Sequence, residues 1–312
     1  MLPTLEKLLS AGPVVTDGAW GTQLQLRGLP IGECPDHWNL SHPEKVEEVA
    51  RAYVEAGSQI ILTNTFGANR FILERQNLAA RAGEINRAGV AISKRAAAGR
   101  ALVFASVGPS GKMLMMGEVS EADLLAAFTE QTRQMAIAGA DGIVIETMAD
   151  LAETKIAVAA AKETGLPVVA CMTFDSGAVH DRTMMGVTPE QAAEGLAAAG
   201  ADAIGSNCGQ GIAGFVAICR RLKAALASRD VHVPDNSASR DVLVPGGNLP
   251  IWIKANAGLP QMKDGKTIYA QTPAEFAAFV PELLDAGASF IGGCCGTSPE
   301  FIRAVKEKLE KK

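Results

Sequence analysis

Positive charge is not in excess in this chain: 29 lysines and arginines face 34 aspartates and glutamates, for a net charge near −5. A phosphate backbone would find no basic stripe, so nucleic-acid binding is disfavoured. No apolar run approaches the roughly 18 residues that a membrane span requires. The first ten residues place Leu2, Leu5, Leu8 and Leu9 at helical spacing and read as a short amphipathic helix. They lack the basic start, long apolar middle and cleavage site of a signal peptide. The expectation is a soluble, cytoplasmic protein with neither nucleic acid nor membrane as partner. In that compartment the six cysteines are expected to be thiols or metal ligands, not disulfides. Also missing is a G-x-G-x-x-G turn after the first apolar run, where Asp17-Gly18-Ala19-Trp20-Gly21-Thr22 stands instead. That omission argues against a doubly wound dinucleotide fold.

A weak internal repeat organises the chain. Ala56-Gly57-Ser58-Gln59-Ile60, Ala138-Gly139-Ala140-Asp141-Gly142-Ile143, Ala199-Gly200-Ala201-Asp202-Ala203-Ile204 and Ala286-Gly287-Ala288-Ser289-Phe290-Ile291 are near-copies. Each closes a helix with a glycine suited to a left-handed cap and opens an apolar run. With the runs at Val14-Val15, Leu102-Val103-Phe104, Leu166 to Val169 and Leu249 to Ile253, they predict strands starting near residues 13, 59, 102, 142, 167, 203, 250 and 289. Thr188-Pro189-Glu190-Gln191 and Thr272-Pro273-Ala274-Glu275 carry a capping Thr, a Pro at the first helical position and a capping-box partner; Ser298-Pro299-Glu300 resembles them. Alternation of strand and helix eight times predicts an α/β fold, one (β/α)8 TIM barrel over residues 1–312. A polar, Pro/Gly-punctuated excursion is expected around 228–248.

In such a barrel the chemistry sits at the C-terminal ends of the strands. Those ends carry Asp17, Thr63 with Asn64, Glu146 with Thr147, Asn207 with Cys208, and Cys294 with Cys295. A carboxylate closing Ile143-Val144-Ile145-Glu146 breaks the local apolar rule, as functional positions often do. Three cysteines at two strand ends suit Zn²⁺, a borderline-soft ion that takes four ligands and keeps one position open when catalytic. The competing reading, small buried hydrophobes, is assigned to Cys34, Cys171 and Cys219. Asp17 could equally cap a turn, and Glu146 could pair with an Arg or Lys at the mouth. The four histidines receive no role, and Met113, Met115 and Met116 form a loop that could be a contact surface or packing.

The motifs Asp17 to Thr22, Thr63 to Asn69, Ile145-Glu146-Thr147-Met148, Ser206-Asn207-Cys208-Gly209 and Gly292-Gly293-Cys294-Cys295-Gly296-Thr297 resemble the homocysteine S-methyltransferase family over essentially the whole chain. With Gly32-Glu33-Cys34-Pro35, they are most similar to the homocysteine-binding barrel of cobalamin-dependent methionine synthases. The resemblance implies that Cys208, Cys294 and Cys295 hold zinc. It also implies that Asp17 and Glu146 hold the amino group of homocysteine and that the backbone at Gly18 and Ala19 takes its carboxylate. Asn207 joins them as a substrate-contact candidate. A free thiol of pKa about 8.5 is mostly protonated at neutral pH, and zinc would deprotonate it. Methyl transfer to the resulting thiolate would give methionine without a general acid.

The resemblance to methionine synthases implies a methyl-corrinoid donor, and a scarcity of aromatic residues agrees with it. Betaine-type members of the family enclose a quaternary ammonium in aromatic rings, whereas Cys34, Gly67 and Thr147 stand at the matching places here. With two tyrosines in all, Tyr53 and Tyr269, only Trp20 and Trp38 could add to a cage. The expected donor is a methyl-corrinoid (methylcobalamin) on a separate protein, since the chain ends at Lys312 without a cobalamin module. Betaine or another methylated onium compound is the alternative. Two further readings stay open: a non-catalytic homocysteine- or zinc-binding subunit, and a zinc hydrolase or aldolase with Glu146 as base.

Overall fold

A computed structural model of the chain describes residues 2–227, 230–234, 241–245, 249–263 and 266–311. The apolar runs form eight parallel strands: β1 (Val14–Val15), β2 (Ile60–Ile61), β3 (Leu102–Val107), β4 (Gly142–Met148), β5 (Val168–Met172), β6 (Ala203–Gly211), β7 (Ile251–Asn256) and β8 (Ala288–Gly293). They pair in the order β1-β8-β7-β6-β5-β4-β3-β2. A parallel bridge from Thr16 to Ile60 joins the two ends and closes the cylinder. Each strand is followed by a helix of the outer ring: α1 (Pro43–Ala56), α2 (Ala82–Ala97), α3 (Glu121–Ile137), α4 (Leu151–Lys162), α5 (Pro189–Ala198), α6 (Ile212–Ala227), α7 in two pieces (Pro273–Ala277 and Val280–Asp285) and α8 (Pro299–Glu310). The expected (β/α)8 barrel is the fold, and the strand starts fall within a residue of those read from the sequence.

Side-chain alternation divides the core in two. Val14, Ile60, Leu62, Phe104, Val144, Val169, Cys171, Ala203, Trp252 and Phe290 fill the barrel interior. The N-terminal helix (Pro3–Leu9) adds its buried Leu5 to the same cluster. The intervening residues, such as Val15, Ile61, Val103, Ile143 and Ile145, pack outward against the helices. Each large apolar side chain buried this way contributes about 2 kcal/mol.

The repeat has a physical basis. Gly57, Gly139, Gly200 and Gly287 all take positive φ, between 88° and 101°, which a side chain would resist. Where the repeat continues with aspartate, that carboxylate clamps the start of the neighbouring strand. Asp141 accepts from Val103 N at 2.7 Å and Asp202 from Val168 N at 2.9 Å. Each is also paired with a helix lysine, Lys94 and Lys162 respectively. Both threonine capping boxes form, at Thr188 and Thr272. Ser298 differs: its hydroxyl turns to Glu300 and leaves the helix N-terminus uncapped by a side chain.

Within the expected 228–248 excursion, Asp230–Pro234 and Asp241–Pro245 pair as antiparallel strands; the rest of that segment lies outside the described residues. A second hairpin, Pro260–Lys263 with Lys266–Tyr269, follows β7. The methionine loop is a surface feature, with Met115 and Met116 largely exposed. Among the described residues no helix is long and apolar enough to cross a membrane.

Candidate active site at the barrel mouth

Two strands bend where they deliver their polar residues. Register shifts interrupt β4 between Ile145 and Met148 and β6 between Asn207 and Gly211. Inside those irregularities Thr147 and Cys208 adopt left-handed backbone, with φ of 62° and 60°. Non-glycine residues are held there only when their surroundings enforce it, and such strain gathers at functional sites. The glycines before the paired cysteines serve another purpose. A Cβ on Gly292 would collide with Thr16 Oγ1 and lie 2.6 Å from Asp17 O, and one on Gly293 would collide with Thr297. The end of β8 therefore runs against the first strand with no room for side chains, and Cys294 and Cys295 emerge on the cavity side.

These features bring Cys208, Cys294 and Cys295 together. Their sulfurs lie within 4.8 Å of one another, and Cys208 Sγ is 3.8 Å from Cys295 Sγ. A tetrahedral zinc with Zn–S bonds of about 2.3 Å requires an S···S edge of about 3.8 Å. The donor set and its spacing therefore fit zinc. Crowding keeps the thiols neutral without a cation. At Cys208 the contact with Cys294 favours the anion, but Cys295 and burial outweigh it and push the thiol up to about 12. Cys295 is likewise pushed up to about 12, because Cys294 and burial override the favourable contact with Cys208. Cys294 is raised further by Cys208 and by burial. Tyr269 belongs to this corner too: burial and the adjacent Cys295 hold its phenol well above its ordinary range.

A cavity of about 620 Å³ opens beside the sulfurs, lined by Gly18, Ala19, Thr63, Asn64, Glu146 and Thr147 among others. Glu146 Oε1 accepts from Ser106 Oγ at 2.5 Å. Burial raises its pKa, against the opposing effects of Lys254 and Ser106.

Other expected substrate contacts fall differently. Asp17 is fully buried and its carboxylate is engaged on both oxygens. Oδ2 accepts from Trp20 Nε1 and Leu62 N, each at 2.7 Å, and Oδ1 binds Lys254 Nζ. It is committed to protein groups before any ammonium arrives. Ala19 N, expected to meet a carboxylate, donates to Thr297 Oγ1 at 3.1 Å. Asn207 is also fully buried: its amide exchanges two 2.7 Å hydrogen bonds with Thr147 and donates to Cys294 Sγ at 3.8 Å.

Cys171 and Cys219 are buried in the core as expected. Cys34 is buried as expected and also lines the cavity, its sulfur 3.7 Å from Asp36 Oδ2. Trp38 is buried away from the cavity with its Nε1 on Glu33; Trp20 does line it, as does Phe66. Lys254 was missed altogether. A lysine ending Ile251-Trp252-Ile253-Lys254 breaks the apolar rule just as Glu146 does, and that was the available signal.

Three thiols converge at the mouth of a parallel β/α barrel, and sequence comparison gives the family. The chain belongs to the homocysteine S-methyltransferase family, whose model matches residues 14–309. It is 31% identical to the methionine synthase of Mycobacterium tuberculosis over 96% of its own length and 25% of that protein's. It thus spans about a quarter of the methionine synthases it matches. Zebrafish betaine–homocysteine S-methyltransferase 1 is 29% identical, across 98% of this chain and 75% of that one. The metallated form of the Escherichia coli homocysteine methyltransferase MmuM superposes with a TM-score of 0.77 at 22% identity, covering 97% of this chain and 99% of that one. The last comparison bears on the fold.

Proposed function

We propose that this protein transfers a methyl group to the thiol of homocysteine, giving methionine, with zinc held by Cys208, Cys294 and Cys295. The observation that carries the reading is the convergence of those three sulfurs within 4.8 Å of one another, with Cys208 and Cys295 at 3.8 Å, on a chain whose family is homocysteine S-methyltransferase. Zinc, when bound, supplies the charge that lowers the pKa of a coordinated thiol. Asn207 fixes the orientation of Cys294, and Thr147, held by Asn207 in its strained conformation, fixes Asn207. Glu146, positioned by Ser106, offers its remaining oxygen to the substrate ammonium. The acceptor sulfur attacks the methyl carbon in line as the bond to the donor breaks. The thiol proton leaves to solvent on ionisation. The donor departs with the electron pair of the broken bond and without a proton, so no general acid is required, which agrees with carboxylates that bind charge and do not shuttle protons.

The proposed donor is a methyl-corrinoid carried by a separate protein. Support comes from the methionine synthase relatives and from the cavity wall, where Cys34, Gly67 and Thr147 leave few rings for a cation–π cage. Trp20 and Phe66 on that wall keep an onium donor as the second reading. The test is methionine production from homocysteine and zinc-loaded protein with methylcobalamin, betaine or S-methylmethionine in turn. Methionine from methylcobalamin is expected. Binding of homocysteine without turnover of any donor would favour a non-catalytic subunit, and no binding would remove the reading.

A further inference from the structure

The buried carboxylates at the mouth already have a cation of their own. Lys254 ends β7 between the two strands that carry the thiols, in register with Asn207 of β6 on one side and Gly292 of β8 on the other. It is 2% exposed, and no other lysine among the described residues is buried. Lys254 and Glu146 belong to the cavity wall, whereas Asp17 does not. Asp17 Oδ2 is spent on Trp20 and Leu62. Only Oδ1 is left to meet a ligand, and Lys254 Nζ sits on it. Burial works against the charge of the lysine, yet Asp17 and Glu146 together outweigh that effect. Its ammonium therefore answers both acids and screens Asp17 from the cavity.

Two buried carboxylates without a cation would be costly, and the lysine removes that cost while the cavity is empty. An incoming amine changes the balance. Its ammonium needs the same oxygen, and two ammonium groups on one buried oxygen repel strongly in a medium of low dielectric. Lys254 hangs on a flexible aliphatic stem, free to withdraw along a wall that also carries the three cysteines.

We propose that Lys254 is a resident ammonium in the amino seat of the acceptor. It occupies Asp17 Oδ1 in the empty protein and gives that oxygen up when the acceptor's amine arrives between Asp17 and Glu146. The proposal rests on the acceptor reading above and adds an internal competitor to it: a thiol without an amine leaves the lysine in place.

The test takes two readouts on zinc-loaded protein, with homocysteine and with 4-mercaptobutyrate, which lacks the amine. With lysine side-chain nitrogens isotope-labelled, the slowly exchanging ammonium signal in NMR is that of the buried Lys254. Homocysteine should shift that signal and speed its exchange with water, and 4-mercaptobutyrate should do neither. By calorimetry, Lys254→Met should bind homocysteine at least ~10-fold more tightly than wild type does, the low end for removal of a competing charge-assisted contact. Its affinity for 4-mercaptobutyrate should change less than about threefold, with zinc content at the wild-type level. A lysine signal untouched by bound homocysteine overturns the assignment and needs no variant. A methionine variant whose homocysteine affinity is unchanged or lower overturns it too, since Lys254 would then support the site from a fixed position. Failure of wild type to bind either thiol removes the acceptor reading itself, and this assignment with it.

Discussion

Changing pH while titrating zinc probes the thiol cluster most sharply. Without a cation, Cys208 and Cys295 are held up to about 12 and Cys294 higher, so near pH 7 all three are protonated. Binding zinc through three thiolates must then release three protons. Each contributes a factor of ten per pH unit, so the apparent dissociation constant should fall about a thousandfold per unit, or roughly 4 kcal/mol. Ordinary thiols would level off as pH passed their own value of 9.0, whereas here the slope should continue beyond it. The sign is fixed by the raised values: the metal-free state binds the protons, so alkali favours the zinc form. Competition against a chelator of known proton affinity gives the slope, and calorimetry in two buffers of different ionisation enthalpy gives the proton count. A slope of one decade per unit, or a plateau beginning at pH 8, would refute the idea that three crowded neutral thiols are the ligands.

Cys208→Ala and Cys295→Ala should each lose zinc at micromolar chelator while circular dichroism remains that of a folded barrel; retained metal would contradict the ligand set. Glu146→Gln should weaken homocysteine binding by about 2 kcal/mol, the cost of a charge-assisted hydrogen bond, with zinc content unchanged in the same sample. Asp36, buried and pushed up to about 6 from 3.8, should lose stability as pH rises through that interval. The loss is about 3 kcal/mol; denaturant unfolding at pH 4 and pH 7 measures it, and Asp36→Asn should flatten it. Gly292→Ala forces a Cβ onto Thr16 and the Asp17 backbone and should cost at least about 1–3 kcal/mol, with weaker zinc retention on chelator titration.

The barrel was legible because its signals are local and repeated. A left-handed glycine, an apolar run and a threonine–proline helix start recur along the chain, and each acts within a few residues. The thiol cluster was legible for a related reason: a barrel sends every strand end to one mouth, so Cys208 and the paired cysteines needed only strand assignment to be brought together. What sequence could not reach was pairing across the barrel. Asp17 and Lys254 lie 237 positions apart, and no spacing rule connects them, so Asp17 read as a turn cap or a substrate contact without its lysine. Ala19 and Thr297 are separated in the same way. The partners of Asn207 were not legible, because residue type at a strand end does not say whether a side chain faces the cavity or the neighbouring strand; it hydrogen-bonds Thr147 and Cys294.

The ligand shell itself is the most direct thing to measure. Zinc K-edge absorption of the metal-loaded protein should give three sulfurs at about 2.3 Å with one lighter neighbour, and addition of homocysteine should raise the count to four sulfurs. A shell dominated by nitrogen and oxygen, or one already closed by protein atoms and unchanged by homocysteine, would contradict the assignment of Cys208, Cys294 and Cys295 as an open thiol-activating site.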